Sequence, residues 1–181
     1  MEMKRFMITI EKLKENDVYL MNKWKCECES EYCISNSLKS KMNWKEEIQG
    51  LSKCFYWIIR SGALKIGMID INHVDKKGCV LEYYIGDRHF RGRNITKMVL
   101  WNVYNYIFYE LKMEYAVTIV FENDIDNLER LIEIGAEIKS RFKKDEYKNE
   151  KIDDVFYVLM KKEKWNNIKD GFNFEEIYIE K

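Results

Sequence analysis

The residues best suited to chemistry stand together at Gly86-Asp87-Arg88-His89-Phe90-Arg91-Gly92-Arg93-Asn94-Ile95-Thr96. Guanidinium groups that can fork onto phosphate oxygens alternate there with small and hydroxyl-bearing residues. An apolar run over residues 80–85 leads in, and an amphipathic pattern over residues 95–111 leads out, so the order is strand, tight basic loop, helix. The first turn of a helix carries N–H groups without intrahelical acceptors and a partial positive charge, which suits a phosphate group. A phosphorylated cofactor is expected here. A solvated basic turn is the plainer reading of Arg88, Arg91 and Arg93.

Those parts need a fold to hold them. The chain has 181 residues, 46% apolar and 34% charged, enough for one domain with a real core. Lysine plus arginine and aspartate plus glutamate stand at 31 each, so no global charge argues for nucleic acid, while a local basic loop still sets a local potential. No apolar run approaches the roughly 20 residues that span a bilayer. No signal-peptide pattern follows Met1-Glu2-Met3-Lys4-Arg5, and a cytoplasmic location is expected. The cysteines number five, with Cys26, Cys28 and Cys33 clustered. Neither His73 nor His89 is near enough in sequence to complete a zinc set, so free thiols and no metal are expected.

The order of elements follows from periodicity. Residues 6–10 alternate as a first strand, and Asn16 can cap a helix through Trp24. Residues 25–40 lack a clear period and read as loop or short helical pieces. Residues 44–51 are helical in pattern. Strands at 54–60, 64–71 and 79–85, joined by turns at Ser61-Gly62 and Asp75-Lys76-Lys77-Gly78, make an antiparallel meander. After the 95–111 helix, residues 115–121 form a strand apolar enough to be buried on both faces. Residues 126–134 form a helix with Leu128, Leu131 and Ile132 inward, stopped by Gly135. Strands at 138–142 and 152–160 flank a charged turn. The domain is expected over residues 1–165, with 166–181 a polar tail holding Phe172 and Phe174.

With these residues in order, the chain resembles the GNAT superfamily of acyl-CoA N-acetyltransferases over roughly residues 4–165. The family's loop reads Arg/Gln-x-x-Gly-x-Gly/Ala; here Arg91 matches, Asn94 replaces the glycine and Thr96 the final small residue. Asparagine tolerates left-handed backbone angles, so Asn94 can keep the turn. A second match is Phe121-Glu122-Asn123-Asp124-Ile125-Asp126-Asn127-Leu128, ending at Ile134-Gly135-Ala136. Counted back from Gly135, Asp124 falls at the usual asparagine and Asn127 at the usual serine; Asn123 takes the role if the turn shifts by one. Within the superfamily the chain is most similar to enzymes acetylating a nucleotide-linked amino sugar in flagellin sugar (pseudaminic acid) synthesis.

The resemblance implies an α/β (α+β) fold, a mixed, mostly antiparallel sheet of about seven strands flanked by helices. It implies acetyl-CoA as donor, held by Ile85, Arg91, Gly92, Arg93, Asn94, Ile95, Thr96, Asn123 and Asn127. It puts the backbone of Tyr84 and Ile85 beside the acetyl group. Acetyl transfer needs a neutral amine, donors for the oxyanion and an acid for the thiolate. Glu82 is the candidate base, because burial in an apolar strand would raise its affinity for a proton. The tyrosine that many relatives use as acid falls at Leu131, so that role is unassigned. The partners implied are a small-molecule amine acceptor and a second copy in a homodimer, with no nucleic acid or membrane. The alternatives are protein N-terminal or polyamine acetylation, the latter served by Glu27, Glu29 and Glu31, or a non-catalytic acyl-CoA-binding module.

Overall fold

The computed structural model describes residues 7–31, 54–72, 76–91, 94–142 and 154–181. Strands β1 (Ile8–Lys12), β2 (Phe55–Ser61), β3 (Leu64–Asn72), β4 (Gly78–Ile85), β5 (Tyr115–Phe121), β6 (Glu137–Phe142), β7 (Val155–Lys161) and β8 (Tyr178–Ile179) form one sheet. Their order is β6-β7-β5-β4-β3-β2-β1-β8. The expected meander is present: β2, β3 and β4 pair antiparallel in sequence. Among the described residues, only β4 with β5 and β1 with β8 run parallel. The expectation of about seven strands is short by β8.

Among the described residues, four helices flank the sheet: α1 (Val18–Glu31), α2 (Ile95–Asn105), α3 (Ile125–Glu133) and α4 (Lys162–Ile168). Strand alternation sorts the packing. Met21 and Trp24 of α1 cover one face with Tyr56, Ile58, Met68 and Tyr84, so Trp24 and Tyr56 are core residues. Val99, Val103 and Tyr104 of α2 cover the other face, together with Leu131 and the fully buried Trp165. The last turn of α2 widens into a π helix, Tyr106–Glu110.

Several expectations change. α1 runs on to Glu31 through residues read as loop, because tertiary contacts of Met21 and Trp24 anchor a helix of weak intrinsic periodicity. β5 is buried on one face and half-buried on the other. Ile132 of α3 is exposed, while Leu131 is wholly buried. The 166–181 segment packs back on the domain. Asn102 of α2 donates to the carbonyl oxygens of Met98 (2.9 Å) and Glu175 (3.0 Å) and accepts from the Ile177 amide (3.0 Å). Glu180 then accepts from the Trp57 indole through its carbonyl (2.9 Å) and from the Lys12 amide through its carboxylate (2.8 Å). Cys26 and Cys28 fall in α1; Trp44 with the 44–51 helix, Cys33, His73, Gly92, Arg93 and the 143–151 turn lie outside the described residues. Among the described residues, no helix is long and apolar enough to cross a membrane.

Two outcomes follow from this packing. Asn102→Ala removes three hydrogen bonds at a 5% exposed site and should cost about 2–3 kcal/mol, read as a lower denaturant midpoint with the slope retained. Burial pushes the Tyr104 phenol well above its ordinary 10.0. The folded state therefore holds that proton more tightly than the unfolded chain, and this stability is present below pH 10 and lost as pH rises beyond it. Tyr104→Phe should flatten the alkaline fall in stability, measured by denaturation from pH 8 upward.

Candidate functional site

The site forms where the sheet comes apart. β4 and β5 share a register only from Gly78–Tyr115 to Val80–Val117. Beyond it, β4 stays paired with β3 as far as Ile85 and β5 with β7 as far as Phe121. Two parallel strands thus run on past the end of their common ladder, leaving a wedge between them. A linear ligand bearing amides can enter such a wedge as a third strand would.

The loop begins at the end of β4. The Trp24 indole sits against Gly86, in the space a β-carbon would take, so only glycine admits that contact. Asp87 caps a short 3-10 turn, Arg88–Phe90, by accepting from the His89 amide at 2.9 Å. That backbone bond holds the Asp87 carboxyl below the usual carboxylate range, ahead of smaller contributions from the His89 ring. Phe90 is buried and pins the turn to the core.

Arg91 turns back on β4. Its Nε donates to the Ile85 carbonyl at 2.8 Å, and its guanidinium lies over the Tyr84 ring, 4.9 Å from the centroid, with Nη2 donating to the Tyr84 hydroxyl. Its amide donates to the Arg88 carbonyl at 3.3 Å. Arg91 therefore clasps the loop to the strand. Asn94 has φ +33, the left-handed angle expected of an asparagine standing for glycine. α2 starts after it, and its first internal bond runs from the Met98 amide to the Asn94 carbonyl at 2.9 Å. Among the described residues, nothing accepts from the amides of Ile95 and Thr96. This positive end of α2 is fit for a diphosphate. The side chains of Ile95 and Thr96 are buried.

The second match forms the other wall. The Asp124 amide donates to the Phe121 carbonyl at 3.0 Å, and the Asp124 carbonyl receives the Asn127 and Leu128 amides at 3.1 Å each. Asn123 is exposed in this turn, and Asn127 enters α3 half-buried. Asn127 accepts from the Tyr83 hydroxyl, a contact that crosses from β4 to α3.

The two faces of β4 differ in chemistry. Tyr83 points to the α2 side, packed on that core. Glu82 and Tyr84 point to the α1 side. Glu82 is exposed, which corrects the expectation of a buried carboxyl: the neighbouring apolar residues face the opposite layer, so they do not desolvate it. Directly beside it in register stands Asp70 of β3, 1% exposed, accepting from Asn72 Nδ2 at 3.0 Å. Asn72 in turn accepts from the Tyr56 hydroxyl at 3.0 Å. Asp70 went unnoticed in the sequence because a carboxylate at alternation's inward phase cannot be told from an exposed one before the register is known. A cavity of about 310 Å³ lies elsewhere, lined by Glu137, Leu159, Lys161, Glu163, Lys164 and Asn167, and contains none of the expected site residues. Among the described residues, no group of three His, Cys, Asp or Glu is placed to hold a metal ion.

Comparison with known proteins gives a concordant result. The model of the Acetyltransferase (GNAT) domain matches residues 8–156. No curated protein matches the sequence significantly. Among solved structures, the spermidine N-acetyltransferase of Vibrio cholerae in complex with CoA and spermine superposes with a TM-score of 0.75 at 13% identity, covering 89% of this chain and 99% of the other. The ribosomal-protein-S5-alanine acetyltransferase of Vibrio fischeri gives 0.68 at 13% identity, covering 91% and 97%. A dodecameric form of the Vibrio cholerae spermidine enzyme gives 0.72 at 12% identity, covering 89% and 97%. At these identities the structural likeness speaks for the fold.

Arg91→Ala should release the loop from Ile85 and Tyr84 while leaving the core intact. Acetyl-CoA affinity should fall roughly tenfold by calorimetry, about 1.4 kcal/mol, with the far-UV spectrum unchanged.

Proposed function

The chain belongs to the GNAT acetyltransferase family, and from that premise we propose that it moves the acetyl group of acetyl-CoA to a primary amine of a small polycation. As a member it is an N-acetyltransferase and uses acetyl-CoA. For the acceptor, the observation that carries the reading is the carboxylate of Glu82, exposed beside Asp70. The exposed Glu82 carboxylate puts negative charge on the α1 face of β4, on the strand that leads into the wedge, with the buried Asp70 next to it in register. A chain of ammonium groups is attracted there, while a nucleotide-linked sugar brings a diphosphate that is repelled. The family match and the solved structures named above do not support the nucleotide-linked amino sugar expected from the sequence. The solved structures of spermidine acetyltransferases are in keeping with a polyamine.

In this reading the diphosphate lies at the start of α2, against the amides that follow Asn94, and the pantetheine arm enters between β4 and β5. The backbone of Tyr84 and Ile85 borders the thioester. Glu82, open to solvent, draws the proton from the acceptor's ammonium through water, so that a lone pair reaches the carbonyl carbon. Arg91 fixes the strand end on which these groups depend.

A thiol-release assay with a panel of amines separates the acceptors. Spermidine and spermine should turn over and a nucleotide-linked amino sugar should not; the reverse outcome rejects the polycation. Glu82→Gln should lower kcat by roughly ten- to a hundredfold and raise KM by less, and equal values for variant and wild type would remove Glu82 from the reaction.

A further inference from the structure

The departing sulfur needs a proton, and the geometry points to the Tyr83 hydroxyl as its source. This rests on the proposed acetyl transfer and adds the group that finishes it. Position 131 of α3 is a wholly buried leucine and can donate nothing. A side-chain acid then has to come from another element that borders the wedge. Tyr83 lies on β4 three residues past the last pair shared with β5, and its hydroxyl reaches Asn127 in the first turn of α3. The phenol therefore lies across the opening where the two strands have ceased to pair. Among the described residues, the hydroxyls of Tyr84, Tyr115 and Thr118 are otherwise placed. Tyr84 points to the opposite face with its oxygen receiving Arg91, Tyr115 stands at the closed end of the ladder, and Thr118 is 3% exposed within the core.

Asn127 contributes by orientation. Its amide oxygen can only accept, so the bond keeps the proton on Tyr83 and holds the ring across the gap. When a thioester occupies the wedge, the hydroxyl exchanges this acceptor for the sulfur. The amine lone pair forms the new C–N bond, and the C–S bond breaks with its electron pair on sulfur. The Tyr83 proton passes to that sulfur to give the free thiol. The proton shed by the nitrogen returns through water to the phenolate. The balance is one amine and one thioester in, one amide and one thiol out.

Tyr83→Phe keeps the ring and removes the proton. Acetyl transfer from acetyl-CoA, followed in a single turnover, should slow by roughly a hundredfold, with the calorimetric Kd for acetyl-CoA within about threefold of wild type. With the selenium isologue of acetyl-CoA, whose selenolate departs without a proton, the deficit should shrink to less than about tenfold. Asn127→Ala should give a smaller deficit that shrinks the same way. An undiminished rate in Tyr83→Phe, an equal deficit with both donors, or lost acetyl-CoA binding would each overturn the assignment while leaving the acetyltransferase reading in place. A wild-type protein that binds acetyl-CoA yet acetylates no amine would instead overturn that reading, and this one with it.

Discussion

The structure depends on a ladder that stops early. Val80 and Val117 are the last partners of β4 and β5, although each strand goes on for the length of a typical short strand beyond them. Parallel neighbours are held by bonds that each residue must supply, so ending the register frees backbone groups that have to be met by something else. The helices answer that demand. α2 sets its positive start beside the end of β4, and α3 sets its first turn beside the end of β5. The residues proposed for acyl transfer lie along these inner edges, where the sheet has main-chain groups to offer a ligand.

The loop between β4 and α2 shows how a degenerate motif keeps its geometry. A glycine is replaced by Asn94, which accepts the left-handed angle, and Arg91 acts as a clasp between the loop and the strand. Thr96, where the family has a small residue, is buried. The left-handed start of the helix is therefore reached with different side chains, since what a helix start offers an anion is main-chain N–H.

The strand–loop–helix order, the meander and the left-handed Asn94 were legible in the chain because each has a local cause: alternation, turn residues, or the steric tolerance of one side chain. Other features were hidden for equally physical reasons. The exposure of Glu82 depends on which layer covers each face of β4, and local apolar context said the opposite. The partnership of Tyr83 with Asn127 joins residues 44 apart in sequence, a relation that exists only once the sheet has opened. Asp70 reveals its burial only when β3 is placed between two other strands. The final segment carries no period long enough to read. Its order comes from Asn102 and Trp57, which hold it from outside.

That last segment also settles the fate of the sheet's margins. A bare flank of β1 would be a template for a foreign strand, and the two-residue β8 blunts it by laying the chain's own backbone there. Among the described residues the opposite margin, β6, is then the longer one left at a border. Glu137, Lys139 and Arg141 are exposed along it, charges of mixed sign that discourage indiscriminate stacking of sheet on sheet. Growth of this molecule into fibrils by edge addition is thus opposed at both rims, at one by occupation and at the other by charge.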